Sequence, residues 1–265
     1  MVTRIGLTGL STVFFLPALM APAEDVEGLL AEGVEHFEEA SAVWDLDGFR
    51  EAAALFEKAC DEDAASYWAH YWLGTARFHI LLHRAEDRRQ PLTKTERRQL
   101  VEEVRMPLER AVALNDGDCE AHAMLSTLAG MEIAAKPLSA VWLGPQVMKH
   151  KARALENGRT NPRTYYLLGM SYYHGPGILG GAGKALEFLL QAEELFDQES
   201  RKQRGPLEPR WGYNHCLTFI ARVCRDEADF ERAETYFRKA LALNPNDRTA
   251  REGLNALLVG ANNSE

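Results

Sequence analysis

The stretch Glu231-Arg-Ala-Glu-Thr-Tyr-Phe-Arg-Lys-Ala-Leu-Ala-Leu-Asn-Pro-Asn-Asp247 decides the fold. Ala233, Phe237 and Ala240 recur at spacings of four and three, which places them on one face of a helix. The two alanines let a second helix come close, and Phe237 fills the space between them. Asn244-Pro245 ends the helix, because proline biases the residue before it away from helical dihedrals. The stretch therefore reads as the second arm of a packed helical hairpin with a proline stop.

Related frames occur four more times upstream. Tyr165-Tyr-Leu-Leu-Gly-Met-Ser-Tyr172 reads as the first arm of a hairpin, and Ala185, Leu189 and Ala192 supply its second. His70-Tyr-Trp-Leu-Gly74 opens another unit, closed by Val104, Leu108, Ala111 and the turn Leu114-Asn115-Asp116. His122-Ala-Met-Leu-Ser126 starts the next, with Ser126 where the others carry glycine. In the first unit Ala52, Phe56 and Ala59 restore the second-arm pattern.

These frames resemble the tetratricopeptide (TPR) repeat, W-x2-L-G-x2-Y followed by A-x3-F, A and P, with Tyr165 in the tryptophan place. Unit starts fall near Gly33, Tyr67, Cys119, Pro162 and Asn214. The first gap is the standard 34 residues, and the later ones are longer by roughly 18, 9 and 18, so three units carry insertions. The resemblance implies an all-α helical-hairpin solenoid of about five repeats, with units at 33–66, 67–118, 119–161, 162–213 and 214–247. An amphipathic segment at 248–259 then reads as a capping helix. Asn161-Pro-Arg-x-Tyr-x-x-x-Gly169, with Gly180-Gly181-x-x-Lys184-Ala185, is also similar to a group of exported bacterial TPR proteins without assigned activity. The chain departs from that group at His174-Gly175-Pro176. Membership implies a periplasmic or envelope protein and transfers no catalytic residue.

Composition agrees with the all-α reading. At 265 residues and 46% hydrophobic content, the chain can bury a substantial core. Apolar residues recur at three and four, as in Phe188-Leu189-Ala192-Leu195-Phe196, and strand-type alternation is nearly absent.

The N-terminus reads as a targeting segment. Arg4 precedes a mostly apolar run over residues 5–20, and Ala21-Pro22-Ala23 gives the small-x-small cleavage pattern. The run is shorter than the roughly 20 residues a membrane span needs, and Pro17 interrupts it. Residues 1–23 are thus expected to be a signal peptide, directing the protein to the periplasm or cell envelope of a bacterium. No membrane span is expected after its cleavage. An oxidising compartment permits disulfides, but Cys216 and Cys224 lie about 12 Å apart along one helix at 1.5 Å per residue. Cys60 and Cys119 fall in different units, so four free thiols are expected.

Charge is uneven. The chain carries a net −9, and residues 24–65 hold 14 acids against Arg50 and Lys58 alone. The bland reading is a soluble N-terminal cap; the sharper one is an acidic face for a basic partner. The insertion over residues 84–105 has seven basic and five acidic residues, a mixture that argues against a nucleic-acid surface.

In a TPR solenoid the concave face is lined by the first arm of each unit. Projected onto this chain, the frame places Trp68, Tyr71, Thr75, Phe78 and His79 there from the second unit. The third unit adds Glu120, Ala123 and Thr127, and the fourth adds Arg163, Tyr166, Met170, Tyr173 and His174. The fifth adds His215, Thr218, Arg222 and Arg225. The expected groove is aromatic with an arginine end. Aromatic rings give contact area at low entropy cost and arginine grips carboxylates in a fork, a surface suited to a protein or peptide partner. The alternative is a small-ligand carrier, with the insertions roofing the groove into a pocket.

No catalytic constellation emerges, and neither a cofactor nor a metal is expected. His79 and His83 have the spacing of a metal half-site, but Ile80-Leu81-Leu82 between them supplies no carboxylate. The glycine-rich segment 175–183 follows a helix rather than a strand and lacks the GK[ST] ending of a phosphate loop. Ser126 and Ser171 have no His and Asp partners in a triad pattern.

Overall fold

A computed structural model describes residues 25–87, 89–175 and 180–262. The expected signal peptide at 1–23 lies outside the described residues, as do 176–179 of the glycine-rich turn. Eleven α-helices and no strand occur among the described residues. They are α1 (Val26–Val43), α2 (Leu46–Glu62), α3 (Tyr67–Glu86), α4 (Lys94–Leu114), α5 (Cys119–Ala135) and α6 (Ala140–Asn157). Then follow α7 (Pro162–His174), α8 (Ala182–Glu199), α9 (Tyr213–Asp226), α10 (Phe230–Leu243) and α11 (Arg248–Asn262). A single 3-10 turn, Pro137–Ser139, leads into α6. Consecutive helices pair as five hairpins, and α11 packs on α10 and α9. This is the all-α solenoid expected from the repeat pattern.

Local chemistry sets the helix starts. Asp25, Asp45, Ser66, Asp118, Asn161 and Asp229 each accept a backbone N–H of the first turn they precede. Thr93 and Glu96 form a reciprocal capping box on α4. Within the hairpins, close approach rests on glycine. A Cβ at Gly33 would meet the Phe56 ring at 2.5 Å, and one at Gly74 would meet Leu108 Cδ2 at 2.5 Å. Gly169 faces Leu189 in the same way. Each of these glycines stands seven residues after its helix begins, so the first hairpin starts at Val26 rather than near Gly33.

The solenoid curls until its ends touch. Asn244 Nδ2 donates to the Ala42 carbonyl across 2.5 Å, and Arg222 of α9 pairs with Glu86 of α3 at 2.9 Å. The insertion over residues 200–212 turns inward instead of lying on the outside. Trp211 is 4% exposed and meets the His79 ring at 4.9 Å, while the Leu207 carbonyl accepts from Trp72 Nε1 at 3.0 Å. One part of the concave face is thereby filled by the chain itself.

Candidate functional site

The part of the concave face that remains forms a cavity of about 480 Å³. It lies among the C-terminal ends of α1, α3, α5 and α7, the middle of α9 and the start of α11. Its apolar walls include Trp44, Leu82, Met131, Tyr166, Met170 and Phe219. Its polar residues include Glu86, Arg97, His174, His215, Thr218, Arg222 and Asp247, with Thr127, Ser171, Arg248 and Thr249 beside them.

Most of those polar groups are already answered. Asp247 accepts from Asn214 at 2.5 Å, from Thr218 at 2.8 Å and from the Ala250 N–H at 2.8 Å. Arg222 is held by Glu86. Burial holds His174 and His215 below the usual histidine range, although Asp247 and Glu86 oppose the shift at His215. Arg97 differs. It reaches the cavity from α4, half-buried, and its guanidinium has no hydrogen bond or ion pair among the described residues. The arrangement can therefore accept an apolar body and one anionic group.

The residues expected to line the groove divide into three sets. Tyr166, Met170 and Arg222 line the cavity, and the projected Thr127, His174, His215 and Thr218 join them. Tyr173 and Arg225 lie beside it, both engaged with the Asp226 carboxylate. Tyr71, Phe78, His79 and Arg163 are buried in the body of the fold, with Tyr71 and Arg163 each 1% exposed. Trp68 is half-buried against the rings of Tyr67 and Tyr71. These five do not share an open face, because the 200–212 segment and neighbouring helices occupy the space in front of them.

Arg163 shows what those buried positions do instead. Its guanidinium reaches Glu120 at 2.7 Å, Glu199 at 2.5 Å and the Trp211 carbonyl at 3.1 Å. Tyr71 and Asn161 donate to the same Glu120. The network ties three hairpins to the inward-folded insertion. His79 sits among Phe37, Trp44, Phe49 and Trp211, and its Nδ1 donates to the Thr75 carbonyl at 2.8 Å. Desolvation pushes its pKa down to about 3. His83 instead stacks near Trp44, and no cluster of three metal-ligating side chains occurs among the described residues. Ser126 donates to the Val147 carbonyl, and the four cysteines are unpaired.

Sequence reasoning missed Trp44, Arg97 and Met131. Trp44 stands in the turn after α1 and Arg97 on a second arm, outside the frame that projects first-arm residues inward. Met131 is on a first arm, one turn beyond the part of the frame that was projected.

No family model matches the chain, and no curated protein sequence is similar enough to count as a match. Solved structures do match. TTC0263, a thermophilic TPR protein of Thermus thermophilus, shares 18% identity over 89% of this chain and 100% of its own, with a TM-score of 0.62. The HusA haemophore from Porphyromonas gingivalis shares 19% over 78% of this chain and 96% of its own, with a TM-score of 0.60. YrrB, a TPR protein with an unusual peptide-binding site, shares 15% over 87% and 97% with a TM-score of 0.39. The fold is a TPR-type helical repeat, an architecture that in general presents concave surfaces to binding partners. No described helix is long and apolar enough to cross a membrane.

Proposed function

We propose that the protein is a carrier that encloses a small apolar molecule bearing one acidic group. The carrying observation is the cavity itself, walled by Trp44, Tyr166, Met170 and Phe219, with Arg97, which has no ion pair among the described residues, at its edge. Concave, largely apolar pockets with a few placed polar groups are the usual form of small-molecule sites. A guanidinium without a carboxylate of its own favours a ligand that brings one. In use, the apolar body would be desolvated between Trp44 and Phe219 while Arg97 orients the acidic end.

Native mass spectrometry of the purified chain, followed by titration with haem and with long-chain fatty acids, tests this reading. Haem is a rational probe because one structural neighbour is a haemophore, and because His174, His215, Met131 and Met170 offer donors in the cavity. Stoichiometric binding that weakens in Arg97→Ala supports the carrier. Absence of any bound molecule, with no binding of either probe, overturns it.

The fold favours a second reading, a scaffold for a protein or peptide partner, since TPR-type solenoids commonly serve that role. That reading rests on architecture alone, and the covered positions of Tyr71, His79 and Arg163 count against a long open groove. Export to the periplasm or envelope through cleavage near Ala23 completes the proposal, and N-terminal sequencing of protein recovered from the envelope fraction tests it.

A further inference from the structure

The outer face of α6 is the least expected surface in the molecule. Its inner face packs normally, with Leu143 and Ala154 buried and Val147 half-buried. Its outer face is apolar as well. Val141, Pro145, Met148 and Ala152 follow at spacings of four, three and four, all exposed. Leu138, in the turn that leads into the helix, is 77% exposed, Val141 80%, Met148 62% and Trp142 55%. A helix of a soluble protein ordinarily gives that face to charged residues.

The charge on this face is equally unusual. The chain is net −9, yet residues 133–155 contain no Asp or Glu. The cations there are not all available. Arg153 is paired with Asp116 and Glu156, and Lys151 lies over the Tyr172 ring at 3.7 Å. Lys149 is exposed, and its ammonium has no partner among the described residues. Lys136 stands over the Trp142 ring at 5.9 Å and makes no ion pair among the described residues.

We propose that the outer face of α6 with its leading turn is a docking surface for an anionic lipid membrane. Leu138, Val141, Trp142 and Met148 enter the boundary between headgroups and acyl chains, and Lys136 and Lys149 meet lipid phosphates. Tryptophan beside exposed aliphatic residues and lysines is the composition of interfacial helices that lie flat on bilayers. A stable protein interface buries roughly 800 Å² on each partner; this patch offers four large exposed apolar side chains, Leu138 in the leading turn and Val141, Trp142 and Met148 on α6. A fluid bilayer has no such threshold, because it moulds around whatever is inserted. The surface also adjoins the cavity: Ala134 and Ala135, exposed at the end of α5, line it, and Lys136 follows directly. The inference stands on α6 alone and does not require the carrier reading.

Co-sedimentation of the full chain with phosphatidylglycerol/phosphatidylcholine vesicles at low salt tests it, with phosphatidylcholine vesicles as the comparison. Binding to the anionic vesicles is expected, with Trp142→Glu reducing it by at least about tenfold. Lys136→Glu and Lys149→Glu should each reduce it about fivefold. All three side chains are exposed, so unchanged melting curves are expected and separate docking from folding. No binding to anionic vesicles, or equal binding by Trp142→Glu and wild type, overturns the proposal. Light scattering that shows a dimer abolished by Trp142→Glu without lipid also overturns it, in favour of a second copy.

Discussion

The rings of Trp44 and His215 meet with centroids 4.9 Å apart and planes at 61°, joining the turn after the first helix to the fifth hairpin. Trp44 holds that place with a left-handed backbone, φ 57°, at the C-cap of α1. Such a conformation costs about 1 kcal/mol or more for a residue with a side chain, and here packing against Phe49 and His215 offsets it. Two variants separate the terms. Trp44→Ala loses the ring and keeps the strain, and should lower stability by about 2 kcal/mol at this half-buried site. Trp44→Gly loses the ring and relieves the strain, and should be more stable than the alanine variant by about 1 kcal/mol. Urea denaturation of both reads the difference. Equal stabilities would mean that the left-handed turn stores no strain.

Arg163 is the second point of leverage. Removing it takes the only cation from Glu120, which is 4% exposed and keeps just the Tyr71 hydroxyl and the Asn161 amide as donors among the described residues, while Glu199 still pairs with Arg204. Breaking a buried ion pair from one side costs about 3–5 kcal/mol. Arg163→Met should therefore destabilise by that amount in urea denaturation. The double variant Arg163→Met/Glu120→Met should be less damaged than the sum of the singles, since the charge left behind is gone. Additive effects would show that the two side chains do not act as a pair.

The solenoid was legible because its period rests on small-large contacts that leave a mark in the sequence. Gly74 against Leu108 and Gly169 against Leu189 are such marks, and both carry the repeat resemblance. The site was only partly legible. Tyr166, Met170 and Arg222 follow from the first-arm frame and do line the cavity. Tyr71, His79 and Arg163 follow from the same frame, yet residues 200–212 fold over them. A repeat pattern gives the direction of a side chain within its unit. It says nothing about where an insertion goes, because the insertion's own residues, such as Leu207 and Trp211, carry no period.

Acid should weaken the fold through His79. Its folded pKa is depressed to about 3 by burial among aromatic rings, so the unfolded chain takes up a proton first. The stabilisation is complete above the unfolded value of about 6.5 and is lost as pH falls toward 3. His150, pushed down to about 4, and His122, also lowered, act in the same direction. Asp118, raised to about 6 chiefly by burial, acts in the opposite direction and gains stability as pH falls from 6 toward its unfolded value. The informative quantity is therefore a difference between two chains. His79→Leu should flatten the loss of stability between pH 6 and 4 by up to about 1.4 kcal/mol per pH unit relative to wild type. Parallel pH profiles would remove His79 as the acid-sensitive group.

The last helix should behave as a structural cap. Ala250 is fully buried, and a Cβ at Gly253 would run into the Phe237 ring, so α11 lies directly on the residue that marks the final repeat. Leu254 and Leu257 pack against the same core. Asp247 accepts from the Ala250 N–H while holding Asn214 and Thr218, which couples the start of α11 to α9 and to the cavity wall. Truncation after Asp247 uncovers Phe237 and removes that coupling. Exposing one buried aromatic alone costs about 1.5–3 kcal/mol, so a lower melting temperature and a tendency to aggregate are expected. Gly253→Val tests the same contact without shortening the chain. The added side chain must displace the Phe237 ring, and a loss of about 1–3 kcal/mol is expected. If both variants melt like wild type, α11 contributes nothing to the fold; if only the truncation is destabilised, the helix matters through Asp247 and Ala250 rather than through its seat on Phe237.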